Sequence, residues 1–260
     1  MSNNFVEKNI KKLSDDNAEV RRQAVETLGR SMDQSAIQPL LALFPKENNI
    51  DVRRAIILSL SFLGSVKALP LLLQVLREED DLEIKRNAAG GLRFFREELD
   101  PEDIFDMLIK ETNPDLQNVL ASTIIFFGDE TLIPKLIEFF KKEDCRDLKP
   151  CILEIIGSYD DERTKEILID CINPGKKREL REIATRAMGK LDDVNLIPHL
   201  YDVYKYDECE EISDYAHGVL EELSIALNFD SIDQMVLELK KQFEKKEGIT
   251  NGKIEESNSS

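Results

Sequence analysis

The sequence predicts an all-α fold: a right-handed α-solenoid (an α–α superhelix) of about seven helical hairpins closed by a C-terminal capping helix. Three observations carry this. Apolar residues recur every 32 positions along the chain. Inside each period they fall at i, i+4 and i+8, the stripe of an amphipathic helix. No useful stretch alternates with period two, so no sheet is expected.

Four columns define the period. The first runs Val20, Val52, Ile84, Leu116, Leu148, Leu180, Ile212. The second runs Ala24, Ile56, Ala88, Leu120, Ile152, Ala184, Ala216, and the third Leu28, Leu60, Leu92, Ile124, Ile156, Met188, Leu220. These three place the buried stripe of one helix per period. The fourth column, Leu40, Leu72, Ile104, Leu136, Leu168, Leu200, Ile232, marks a second helix. One hairpin cannot bury such a stripe alone, but a stack of hairpins can.

The breaks between columns carry helix-start and helix-stop chemistry. Ser35, Ser65, Asp129, Asp161, Asp193 and Ser231 are suited to N-capping, and Asp100-Pro101 reads as a cap followed by proline at the first helical position. Gly29, Gly64, Gly128, Gly157 and Gly189 punctuate helix ends. Hairpins run from about Asn4 to Ile225, and the cap from about Asp230 to Glu244, with Lys240, Lys241, Lys245 and Lys246 at its end. The solenoid domain is placed at 1–246. The polar tail, 247–260, has no periodic stripe and is expected to be disordered.

Composition narrows function. The 260 residues hold 35 Lys+Arg against 52 Asp+Glu, a net charge of −17. This argues against a phosphate-backbone binder and against docking on an anionic membrane. A protein or peptide partner is expected, and a basic surface complements the bulk charge. The N-terminus has no secretory h-region, and no apolar run reaches the ~18 residues of a membrane span. Cys145, Cys151, Cys171 and Cys209 form no CxxC pair, so reduced thiols and a cytoplasmic location are expected.

No reaction chemistry is legible. There is no phosphate-binding glycine loop and no HExxH. His199 and His217 adjoin core positions, and acidic runs such as 78–81 lack the spacing of a calcium loop. No cofactor, metal site or catalytic residue is expected.

The register resembles the HEAT repeat, in the short form of phycobilisome-lyase-like proteins. The first period shows the signature as Asp16, Val20-Arg21, Ala24 and Leu28-Gly29. The second has Asp51-Val52-Arg53 and Leu63-Gly64, and the sixth Leu180-Arg181, Ala184 and Met188-Gly189. Prolines 39, 70, 134 and 198 match the proline of the family's first helix. The resemblance implies a stack whose second helices line a concave face, and a polar ladder along the inter-helix turns. Asp16, Arg21, Arg53, Asp80, Lys85, Asp144, Lys149 and Arg181 are its expected members. A cation near a helix N-terminus opposes the macrodipole and so calls for carboxylate partners. Two roles follow from the resemblance: a non-catalytic scaffold, or a subunit of a phycobilin-lyase-like enzyme that attaches or detaches a chromophore. HEAT-like deoxyhypusine hydroxylases hold iron with His-Glu pairs, and this sequence has none.

The position ten after the Val column lies at the edge of the exposed arc. It is phenylalanine in three central periods, Phe62, Phe94 and Phe126, and Arg30, Ser158, Lys190 or Glu222 elsewhere. With Leu58, Ser59, Asn87, Gly91 and Thr123 beside them, these residues are the expected partner groove.

Overall fold

The computed structural model describes residues 3–142, 145, 147–191 and 193–243. The fold is an all-α solenoid, with no strand among the described residues. The chain forms two compact units, Met1–Leu132 and Ile133–Ser260. The tail expected over 247–260, together with Asp144, lies outside the described residues.

The first unit holds four hairpins: α1 (Asn3–Lys12) with α2 (Ala18–Ser31), α3 (Ile37–Leu43) with α4 (Ile50–Leu63), α5 (Leu69–Glu78) with α6 (Leu82–Gly91), and α7 (Pro101–Lys110) with α8 (Pro114–Phe127). The helices of each hairpin pack together, and the second helices also stack in sequence, α2 on α4, α4 on α6 and α6 on α8. Each second helix starts where an Asn or Asp caps it. Asn17, Asn49, Asp81 and Asn113 accept hydrogen bonds from first-turn N–H groups that the helix leaves unpaired. Helices α4 and α8 stop at Gly64 and Gly128, which take the left-handed conformation. Met32 ends α2 in that conformation without glycine's freedom.

The second unit holds α9 (Ile133–Lys141), α10 (Lys149–Ile156), α11 (Glu162–Cys171), α12 (Arg178–Lys190), α13 (Ile197–Tyr206) and α14 (Glu210–Ala226), with α15 helical over 232–243. Again α10 stacks on α12 and α12 on α14. The prolines sit in the first turn of α3, α5, α9 and α13, where a missing N–H costs nothing.

The apolar columns form the core. All of their members are buried except Val20 and Ile232, which are half-buried in the first and last periods. Among the expected caps, Asp100, Asp129, Asp161 and Asp193 accept first-turn N–H bonds, and the Ser231 hydroxyl accepts from the Gln234 N–H. Ser35 is not a cap. It donates to Asp33, which does the capping. Ser65 precedes its turn without a side-chain bond.

Gly29, Gly157 and Gly189 also have a different cause from the one expected. A Cβ on Gly29 would lie 2.5 Å from the Ser59 Oγ, and one on Gly157 2.5 Å from the Ala187 Cβ. One on Gly189 would lie 2.9 Å from Val219 Cγ2. These glycines let successive second helices approach, and none of the three takes the left-handed conformation.

Candidate functional site

The cationic ladder forms, but with other anions than the sequence spacing suggested. Arg21 does not pair with the Asp16 carboxylate. Its guanidinium donates to the carbonyl oxygens of Asp15 and Asp16 and forms a two-pronged ion pair with Glu47, at 2.7 and 2.8 Å. Arg53 donates to the Phe44 and Glu47 carbonyls and pairs with Glu79. Arg181 donates to the Lys176 carbonyl and pairs with Asp207 at 2.8 and 3.1 Å. In each case the cation bridges its own inter-helix turn to an anion 26 residues on, in the next turn. The anion also closes that turn. Glu47 accepts from the Asn49 N–H, Glu79 from Asp81 and Asp207 from Cys209. The anions of the rungs are therefore Glu47, Glu79 and Asp207, in the register one residue before Asp80, and Glu111 in that register closes its turn by accepting from the Thr112 and Asn113 N–H groups.

The rungs differ in burial. Arg181 and Asp207 are 4% and 3% exposed, against 21% and 15% for Arg53 and Glu79. Burial works to raise the Asp207 carboxyl, but the Arg181 hydrogen bonds override it and hold the group below its ordinary value. The Arg21 guanidinium depresses Glu47 in the same direction. Among the described residues Asp80 and Lys85 make no ion pair, and Lys149 lies 5.1 Å from the Phe140 ring centre. Gln117 replaces the cation in its period and donates to the Glu111 carbonyl at 2.7 Å.

The expected groove residues divide into two groups. Phe62, Phe94, Phe126 and Leu58 are 49%, 43%, 60% and 41% exposed. The Phe62 and Phe94 ring centres stand 6.3 Å apart with tilted planes, and the Arg93 guanidinium lies 4.9 Å above Phe94. Each exposed phenylalanine is followed by a buried residue, Leu63, Phe95 or Phe127, which anchors that end of the helix.

Ser59, Gly91 and Thr123, in contrast, are buried, although Thr123 still contributes to the lining of a depression with Arg86, Gly90, Val119 and Phe126. They are where second helices touch. The Ser59 hydroxyl donates to the Val25 carbonyl, and Thr123 donates to Ala89 and Val119. A Cβ on Gly91 would lie 2.1 Å from Ser61 Oγ. Asn87 is half-buried, and its carbonyl accepts from the Ser61 hydroxyl.

A second aromatic group lies in the second unit. The Tyr204 ring packs 4.6 Å from His217, and the Lys205 ammonium lies 4.3 Å from the Tyr204 ring centre. His199 is half-buried, and burial lowers its pKa, which favours the neutral ring. Burial pushes the Cys145 thiol up to about 11 and Cys151 up to about 12, so neither is a nucleophile at neutral pH. Among the described residues no group of three or more His, Cys, Asp or Glu is placed to hold a metal ion, and no helix is long and apolar enough to cross a membrane.

No curated protein sequence matches the chain. Among solved structures, it is similar to the CpcE–CpcF complex of phycocyanin lyase from Nostoc sp. PCC7120, with 18% identity, 91% of this chain and 94% of that chain covered, and a TM-score of 0.46. It is also similar to human deoxyhypusine hydroxylase in complex with glycerol, with 15% identity, 85% of each chain covered and a TM-score of 0.38. Residues 6–93 match the family described as HEAT repeats, which takes in α2, α4 and α6 with their stacked contacts. The matched segment, residues 6–93, consists of HEAT repeats.

Proposed function

We propose that the chain is a non-catalytic scaffold that binds a segment of a protein partner on the face of α4, α6 and α8. The observation that carries this is the row of exposed phenylalanines 62, 94 and 126. Exposing three large aromatic rings in adjacent repeats leaves apolar surface in water, and a docked partner removes it. In the same register the preceding repeat of this unit carries Arg30, and the repeats of the second unit carry Ser158, Lys190 and Glu222, so the phenylalanines are confined to these three repeats. The bulk charge of −17 draws a basic partner at long range, but on this face the arginines set the local sign.

Phe94 and Phe95 test the reading as a pair. Phe95→Ala removes a fully buried ring and is expected to cost about 3–5 kcal/mol of folding stability. Phe94→Ala is expected to leave the melting temperature nearly unchanged. A photo-crosslinking residue placed at Phe94 is expected to form covalent adducts with protein in cell extract, and one placed at exposed Val194 is not. Equal labelling at both positions, or a sharp loss of stability in Phe94→Ala, removes the docking face. Co-expression with a bilin and a phycobiliprotein subunit is expected to leave the chain colourless. Stable colour would favour the chromophore-enzyme reading instead.

A further inference from the structure

We infer that the docked segment carries a carboxylate next to an aromatic or aliphatic side chain, and that the carboxylate is held between Arg86 and Arg93 over Gly90. The inference rests on the docking role proposed above and gives the partner its chemistry. It starts from two adjacent glycines. Gly91 is required by packing, because any side chain there would strike Ser61. Gly90 is not: its φ is not positive, and a Cβ would meet only the Val119 Cγ1, at an ordinary 3.7 Å. A glycine inside a helix costs about 1 kcal/mol relative to alanine, and nothing in the fold of α6 returns that cost. What the missing side chain leaves is access to the helix backbone.

The surroundings of that opening point to an anion. It is an open depression of about 390 Å³ whose lining includes Arg86, Arg93, Asn118, Val119, Ser122 and Phe126, with Asp115 as the acid among the lining residues. Arg86 stands one turn before Gly90 and Arg93 three residues after it, so the guanidinium groups flank the opening along one face. Both are exposed, and among the described residues neither has a carboxylate within ion-pair distance. The preceding arginines in the Arg86 register are neutralised: Arg22 by Glu19 and Glu26, and Arg54 by Asp81 and Glu83. Among the described residues Arg86 and Arg93 are thus without a carboxylate partner, in a chain with 52 acids, and they line the depression together with the apolar Val119 and Phe126. Guanidinium binds carboxylate through paired, geometrically specific N–H donors. A polyphosphate chain experiences the whole −17 field, whereas a segment with one or two carboxylates responds to charges within about 8–10 Å, where these arginines dominate.

Fluorescence anisotropy on the full chain tests this with three labelled probes: a short amphipathic peptide of Glu and Phe, the same peptide with Lys in place of Glu, and single-stranded DNA. The Glu peptide is expected to bind most tightly, with affinity falling as salt rises. Arg86→Glu and Gly90→Leu are each expected to weaken it roughly ten-fold or more. Gly218→Leu, in the same register on α14 where a Cβ also meets open space, is expected to leave it unchanged. Circular dichroism and melting confirm that each variant is folded. If the Lys peptide binds more tightly and Phe94→Ala abolishes its binding, the docking face stands and the inferred partner chemistry falls. DNA binding lost in Arg86→Glu, or no binding of the Glu peptide, also overturns the inference. The docking role itself is decided by the crosslinking experiment.

Discussion

In the first unit the residues preceding the second helices are Asn17, Asn49, Asp81 and Asn113, and each caps its helix with a side-chain oxygen. In the second unit the same register holds Cys145, Lys177 and Cys209. There α12 and α14 start without a side-chain cap, and α10 does not start until Lys149 and is only 8 residues long, against 14 for α4 and α8. The second unit places its stabilisation elsewhere. Its ladder rung, Arg181–Asp207, is the more buried, and Lys165 is set among Asp160, Glu162 and Asp193. One repeat pattern can therefore be held by local capping or by buried ion pairs. The two devices respond differently to substitution and to pH.

The largest effect is expected at the buried rung. Arg181→Ala leaves the Asp207 carboxylate buried without its cation, and about 3 kcal/mol of stability should be lost. Hydrogen exchange read by mass spectrometry should show faster opening of α12 to α14. Protection in α2 to α6 that falls equally would break the distinction between the units.

Acid should act next. The folded-state carboxyls of Glu47, Glu79 and Asp207 all lie below their ordinary values of 4.5, 4.5 and 3.8. A depressed folded-state pKa gives stability that is complete above the ordinary value and is lost as pH falls through the folded one. Thermal melts should therefore be flat from neutral pH down to about 5 and then fall steeply. Asp207→Asn should remove part of that slope. A melting temperature independent of pH down to 3 would show that the ladder carries no net stability, a result open to ion pairs in general.

The caps give smaller effects of opposite sign in the two units. Asn49→Ala should destabilise by about 1 kcal/mol, by leaving first-turn N–H groups unpaired. Cys209→Ser should stabilise by up to about 1 kcal/mol, because Cys209 already has the extended conformation that a cap requires. If chemical denaturation shows no gain for Cys209→Ser, the missing cap is not what distinguishes the units. Met32→Gly should add about 1 kcal/mol by relieving a left-handed residue, in the register where Gly64 and Gly128 already do this.

Most of the fold was legible because the period is carried by buried aliphatic residues, whose spacing directly records the packing. The columns through Ala24, Leu28 and Leu40 fall in the core in almost every repeat. The ladder was half legible. Its cations are found by period, but proximity in sequence suggested the Asp16 register for the anions, whereas Arg21 reaches Glu47 in the following repeat. The better signal was available: Glu47, Glu79, Glu111 and Asp207 form a more uniformly acidic column than Asn48, Asp80, Thr112 and Glu208. At the face, the phenylalanines were readable as exposed residues, while the burial of Ser59, Gly91 and Thr123 was not. A one-sided helical wheel assumes a single buried stripe. A second helix in a stack is flanked on both sides, so its buried arc is wider, and small residues there mark close contact between helices.

The ladder gives the chain a reading direction. Arg21, Arg53 and Arg181 each take an anion from the turn that follows, 26 residues downstream. Duplication or removal of one whole period within the rungs of Arg21 and Arg53 returns each of these cations to an anion and each of their turns to its closing carboxylate. A shorter insertion inside a helix or turn leaves at least one guanidinium facing the wrong residue, at the cost of an unpaired charge. Arrays built this way grow and shrink by copying whole units, and a tract inherited in any other phase is penalised when it folds.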